Sequence, residues 1–200
     1  MIFNNNKSTI YMKNVRSCED IPLVSIHGFT GSSNNWNILK DEFNGTLLAF
    51  DIPGHAKSKF NNLNDNYDYE DFVNDFYLAL NKLQLKKINL LGYSMGGRLA
   101  LSFACKYPEM INHLILESTS IGIEDFEKKE ERYNDDIELS ASIESSLNKF
   151  ISKWSNHNLF SNQINRNKNE FIRQETIRLS HNKYQLSKSL KSFSIGNMKY

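Results

Sequence analysis

The stretch Gly92-Tyr93-Ser94-Met95-Gly96-Gly97 follows the apolar run Ile88-Asn89-Leu90-Leu91 and precedes Arg98-Leu99-Ala100-Leu101-Ser102-Phe103-Ala104. The run before it is short, apolar and closed by glycine, as a buried strand is; the stretch after it is rich in helix formers. Gly-x-Ser-x-Gly between a strand and a helix describes a nucleophile elbow, a sharp reversal that presents a serine hydroxyl at its tip. Gly92 and Gly96 suit such a turn because close backbone approach leaves no room for Cβ atoms. The N-terminus of the following helix sets backbone N–H groups and a favourable dipole behind Ser94, where negative charge would develop. A glycine-rich turn with a merely solvated serine is the competing interpretation, and the flanking elements argue against it.

Two further stretches read the same way. Ile21-Pro22-Leu23-Val24-Ser25-Ile26 is a short buried strand ending in the loop His27-Gly28-Phe29-Thr30-Gly31-Ser32. Leu47-Leu48-Ala49-Phe50-Asp51-Ile52-Pro53-Gly54-His55-Ala56-Lys57-Ser58 is a strand running into a Pro-Gly turn. His27 is expected to hold its loop together, and Asp51 and His55 to order their turn, in preference to acting as acid or base.

Strands and helices alternate along the chain, which implies a mostly parallel sheet with helices on both faces, the α/β class. Strands are expected at Leu23–Ile26, Leu47–Asp51, Ile88–Leu91 and His113–Glu117. Helices are expected at Trp36–Glu42, Tyr69–Leu83 and Met95–Lys106, with Asp68 or Asp65 capping the second and Pro108 stopping the third. Phe72, Val73, Phe76, Leu80 and Leu83 recur at helical spacing and form a core-facing stripe. After Ser120 the pattern becomes helical with mixed polarity. The expected division is a core at 1–122, a helical cap over the carboxyl edge of the sheet at 123–194, and a return toward the core at 195–200. No internal repeat is present.

Two hundred residues suffice for one sizeable core. A net charge of +1 favours neither nucleic acid nor a membrane surface as partner. Charge is uneven, however: residues 149–200 carry ten Lys or Arg against Glu170 and Glu175. Either this is a solvated basic face or a lid whose field attracts an anionic substrate. Cys18 and Cys105 are too few for a disulfide framework, and Cys105, in an apolar helix, is expected to be a packed thiol. There is no leader-like apolar segment and no run long enough for a transmembrane helix, so a cytoplasmic protein is expected. Nothing in the sequence implies a metal or a cofactor, and nothing speaks to oligomeric state.

HGFTGS, DIPGHAKS and GYSMGG, in this order and spacing, resemble the α/β-hydrolase superfamily. Within it, GYSMGGRLAL, LILESTSIGI, ERYNDD, KWSNHNLFSNQ and IRLSHN together resemble the 2-succinyl-6-hydroxy-2,4-cyclohexadiene-1-carboxylate synthases of menaquinone biosynthesis. The likeness runs from about Leu23 to Met198. It implies an α/β-hydrolase fold with Ser94 as nucleophilic centre and the N–H groups of Phe29 and Met95 as oxyanion hole. It also implies a lyase that removes pyruvate from a small substrate carrying several carboxylates, without an acyl-enzyme. Arg98, Arg132 and Arg178 would bind those carboxylates, Trp154 would wall the pocket and Tyr93 would stand beside the nucleophile. A surface salt bridge is the rival role for each arginine, and anchoring the cap's own core the rival role for Trp154. A generic serine hydrolase, acting on esters or C–C bonds, is the alternative function.

The triad of this superfamily runs Ser, then Asp or Glu, then His. No Asp follows Asp136, and the later histidines, His157 and His181, both fall in the expected cap, as do Glu170 and Glu175. The expectation is a chain without its last two strands and without the catalytic acid and base: an inactive piece or remnant, with the edge of the His113–Glu117 strand exposed. His181 recruited as base is the alternative.

Overall fold

The computed structural model describes residues 1–18, 20–156 and 167–199. Seven strands form the sheet: β1 (Ile2–Asn4), β2 (Ser8–Arg16), β3 (Leu23–Ile26), β4 (Leu47–Phe50), β5 (Lys59–Phe60), β6 (Ile88–Tyr93) and β7 (Ile111–Glu117), in the order β1-β2-β4-β3-β6-β7 with β5 beside β2. β4, β3, β6 and β7 are mutually parallel, whereas β2 is antiparallel to β1, β4 and β5. Every residue of β3 and β4 is buried, which explains why they read as continuous apolar runs rather than alternating ones. β1, β2 and β5 were not expected from the sequence. β1 and β5 are only three and two residues long, and β2 mixes buried and solvated positions, so no periodic run announces them.

Six α-helices are described: α1 (Tyr69–Lys82), α2 (Met95–Lys106), α3 (Phe126–Ser145), α4 (Leu147–Ser155), α5 (Lys168–Leu179) and α6 (Lys183–Ser192). Asp68 starts α1: its carboxylate accepts from the N–H groups of Glu70 and Asp71, and Asp71 answers onto the Asp68 N–H. α2 occupies the expected Met95–Lys106 and gives way to a 3₁₀ turn at Pro108. The helix expected at Trp36–Glu42 is instead a 3₁₀ segment, Ser33–Leu39. Ser32 and Asn35 close a capping box, and the Ser33 N–H donates to Asp51 Oδ1 at 2.6 Å, so the segment starts three residues early.

Alternate strand residues feed opposite faces of the sheet. On one face Val24, Leu48, Phe50 and Leu90 pack with Phe72 and Phe76 of α1 and Leu99 and Phe103 of α2. Ile143, Phe150, Ile151, Leu186 and Leu190 from the later helices join that same cluster. On the other face Leu23, Leu47, Ala49 and Leu91 meet Trp36, Leu39 and Phe43. Helices therefore lie on both faces, the second of them covered, among the described residues, by the 3₁₀ helix Ser33–Leu39 and the residues that extend it. β7 is an edge strand among those residues, with no residue fully buried and Ile115 47 % exposed. Cys105 is exposed, not packed, because Leu99 and Phe103 occupy the inward face of α2. Among the described residues no helix is long and apolar enough to cross a membrane.

Candidate active site

Ser94 links β6 to α2 with φ 52° and ψ −115°, a backbone conformation that L residues rarely adopt. It is held there by its neighbours. The Ser94 N–H donates to the Glu117 carbonyl at the end of β7, 2.9 Å away. A Cβ on Gly92 would strike Gly97, one on Gly96 the carbonyls of Ile26 and His27, and one on Gly97 the side chain of Thr119. The three glycines thus let α2 start against the ends of β3 and β7. The Ser94 hydroxyl makes no hydrogen bond among the described residues.

In front of Ser94 lies a cavity of about 590 Å³. All eight residues singled out from the sequence line it: Phe29, Tyr93, Ser94, Met95, Arg98, Arg132, Trp154 and Arg178. They come from the loop after β3, the elbow, and helices α2, α3, α4 and α5. Phe29 meets the Trp154 ring edge-to-face at 5.6 Å, and Trp154 stacks on Phe150 at 5.7 Å. Trp154 thus both lines the cavity and packs against the apolar cluster that the later helices share with the sheet.

The arginines differ in how they are held. Arg98 is buried, with Nε donating to the Tyr69 hydroxyl and Nη2 to the Phe193 carbonyl, both at 3.1 Å. It is not the surface ion pair of the competing reading. Arg178 is also buried and donates to Ser155 Oγ at 2.9 Å; burial lowers its affinity for a proton, with Glu175 opposing. Arg132 is half-exposed and donates from Nε to Asp136 Oδ1 at 3.2 Å, one helical turn on.

Sequence reasoning missed the carboxylates of the cavity. Glu117, Asp136 and Glu170 line it beside the three arginines, so the lining is formally balanced. Glu170 is engaged by Arg173 at 2.6 and 2.7 Å. Asp136 is fully buried, and its Oδ2 has no hydrogen-bond partner among the described residues. Its i,i+4 spacing from Arg132 was the one available signal. Of the described cations after residue 148, only Arg178 lines the cavity; Lys149, Lys153, Lys168 and Lys199 are exposed, whereas Lys188 is buried and donates to the Leu63 and Asp65 carbonyls.

None of the described histidines reaches Ser94. His27 Nδ1 donates to the Gly28 carbonyl at 2.7 Å and Nε2 accepts from the Ile52 N–H at 3.1 Å. With Nε2 unprotonated, its 4.0 Å approach to Asp51 Oδ1 is no ion pair. Burial pushes its pKa down to about 4, outweighing the attraction of Asp51. His55 Nε2 accepts from the Thr30 N–H at 3.1 Å. His181 Nδ1 accepts from the Ala56 N–H at 3.1 Å and Nε2 donates to the Thr30 carbonyl at 3.0 Å. Both of its nitrogens are committed to backbone, which removes it as a base. His113 lies exposed on β7, bonded to Asn89 and Asn112. His157 lies outside the described residues. Asp51, as expected, orders its turn, accepting from the N–H groups of Ser33 and Lys57. No group of three His, Cys, Asp or Glu among the described residues is arranged to hold a metal.

A parallel sheet with a strained serine elbow, a glycine loop after β3 and helices over the strand ends defines a class. Residues 21–132 match the model of the alpha/beta hydrolase fold, and the chain belongs to that family. A Bacillus subtilis protein provisionally named 2-succinyl-6-hydroxy-2,4-cyclohexadiene-1-carboxylate synthase is 36 % identical over 88 % of this chain and 65 % of its own length. The Klebsiella pneumoniae enzyme of that name is 36 % identical over 57 % of this chain and 44 % of its own length. The solved structure of MenH from S. aureus is 28 % identical, with a TM-score of 0.84 over 98 % of this chain and 73 % of that one. The chain thus spans less than two thirds of the length of these two sequence relatives.

Proposed function

We propose that this chain belongs to a lyase that eliminates pyruvate from 2-succinyl-5-enolpyruvyl-6-hydroxy-3-cyclohexene-1-carboxylate, giving 2-succinyl-6-hydroxy-2,4-cyclohexadiene-1-carboxylate in menaquinone biosynthesis. The carrying observation is the convergence of Arg98, Arg132 and Arg178 on the cavity that holds Ser94. A neutral ester offers nothing to three guanidinium groups; a substrate with several carboxylates suits their bidentate forks. The names of the Bacillus and Klebsiella relatives point the same way.

On this reading Ser94, once a base takes its proton, starts the elimination by removing a substrate proton. The N–H groups of Phe29 and Met95 hold the negative charge that develops on the neighbouring oxygen. The arginines fix the carboxylates, Trp154 closes one wall and Tyr93 lies beside the nucleophile. Because the cavity lining is formally balanced, the anion is held by placed donors and not by a general positive field. Residues 1–122 act as the core and 123–194 as the cap that completes the pocket. The setting is cytoplasmic, and the partner is this small anionic substrate, with no role for nucleic acid or a membrane.

Calorimetric titration of the chain with the cyclohexadiene product tests the reading without needing turnover. Saturable binding that weakens about tenfold or more in Arg178→Ala is the expected result. Equal binding of the product and its neutral dimethyl ester would return the chain to the generic hydrolase alternative.

A further inference from the structure

Thr30 follows Phe29 and has φ 64°, and Ala56 in the turn after β4 has φ 45°. Non-glycine residues hold this left-handed conformation only where the surroundings impose it. The surroundings here are histidines. The Thr30 N–H donates to His55, while the Thr30 carbonyl and the Ala56 N–H are both taken by the ring of His181. His181 stands between α5 and α6, 151 residues from Thr30 and 125 from Ala56. One imidazole from the cap therefore bridges backbone groups of two left-handed residues in two separate loops of the core. The rings of His27, His55 and His181 stand edge-to-face in a row, 5.1 and 5.2 Å apart. The cap also touches the 3₁₀ segment that follows this loop, where Gln174 Oε1 accepts from Asn35 Nδ2 at 2.6 Å.

We propose that His181 is a positioning residue for the oxyanion hole: by binding the Thr30 carbonyl and the Ala56 N–H together, it fixes the His27–Gly31 loop in the conformation that presents the Phe29 N–H to Ser94. Seating of the cap and completion of the oxyanion hole are then one event. This rests on the reading of Phe29 as an oxyanion donor given above. The device works only with the Nε2–H tautomer of a neutral ring, because a protonated Nδ1 would oppose the Ala56 N–H donor to donor. The titratable and charged groups around the ring are His55 and, more distantly, His27 and Asp51. Burial holds the ring neutral against the pull of the Thr30 carbonyl and Asp51.

The test needs no substrate turnover. Imidazole ¹⁵N spectra of the full chain at pH 6 should show His181 neutral, with Nε2 protonated and Nδ1 bare. In His181→Ala, amide exchange at Thr30, Gly31 and Ala56 should quicken about tenfold or more while α1 stays unchanged, and His181→Gln, which can accept and donate, should restore much of the protection. The cyclohexadiene product, an oxygen of which meets the Phe29 N–H on the reading above, should bind His181→Ala about tenfold or more weakly than the wild type. A protonated ring or the opposite tautomer in the wild type overturns the proposal, even if His181→Ala does not fold. Unchanged exchange in a folded His181→Ala overturns it as well. Failure of that product to bind the wild type, with the exchange effect intact, counts against the proposed function and leaves the positioning role of His181 standing.

Discussion

Arg98 Nη2 lies 3.1 Å from the carbonyl oxygen of Phe193, so the helix that begins at Ser94 is bonded directly to the end of α6. The same guanidinium donates through Nε to Tyr69, whose hydroxyl also donates to the Phe193 carbonyl at 2.9 Å. Arg98, Tyr69 and Phe193 form a closed buried triangle between the nucleophile helix, α1 and the later helices. A residue that lines the cavity thus also ties α2 to α1 and to the end of α6.

Truncating this residue should therefore be costly before any ligand is added. Arg98→Ala removes two charge-assisted hydrogen bonds and leaves a buried carbonyl with one donor fewer, so a loss of ~2–4 kcal/mol in urea unfolding is expected. Arg98→Lys should recover little of it, since one ammonium lacks the fork that spans both acceptors. A change under ~0.5 kcal/mol for Arg98→Ala would show that the triangle is incidental and leave Arg98 only its place in the cavity.

The backbone at Ser94 yields a second expectation. Its φ of 52° strains any side chain, and only glycine relieves the strain. Ser94→Gly should be more stable than Ser94→Ala by ~1–2 kcal/mol, the reverse of the usual ranking in a helical region. Thermal unfolding of the two variants decides it; equal midpoints would mean that the elbow is unstrained in solution.

Much of this architecture was legible because its causes are local. Ile88–Leu91 and Gly92–Gly97 lie next to one another in the chain, and a strand, a glycine turn and a helix follow from adjacent residues. The same holds for Asp68 capping α1. β1 and β5 were invisible because three- and two-residue strands have no period and exist only through pairing with β2. The eight expected site residues do line one cavity, yet the carboxylates opposing the arginines were overlooked, since Asp136 and Glu117 reach it only through tertiary placement. His181 carries no local sign of its task, because its partners, Thr30 and Ala56, stand in loops distant along the chain.

Acid should weaken the fold through the buried histidines. His27 titrates at about 4 in the folded chain against 6.5 for an ordinary histidine, chiefly because burial disfavours the cation. His55 and His181 are shifted in the same direction for the same cause. Between those values the unfolded chain binds more protons than the folded one, so stability is full above pH ~6.5 and falls as pH drops toward 4. His27, held neutral by burial, contributes to that loss in the same direction. Urea unfolding at pH 7, 6 and 5 should show the decline, and His27→Gln should flatten it; a wild-type curve that is level from 7 to 5 would contradict the neutral assignment.

The 200-residue chain should turn over neither the enolpyruvyl substrate nor simple esters such as para-nitrophenyl acetate. The reason lies in the histidines described around the site. His27 and His181 have both ring nitrogens on backbone groups, His55 Nε2 is held by the Thr30 N–H, and His113 is on the exposed edge strand. A serine hydroxyl without an aligned base stays protonated at neutral pH, and only the residual ~10³–10⁴-fold effect of binding and the oxyanion hole is left. Turnover at ordinary enzymatic rates, abolished by Ser94→Ala and by replacement of any one histidine of this chain, would overturn the expectation and identify that histidine as the base.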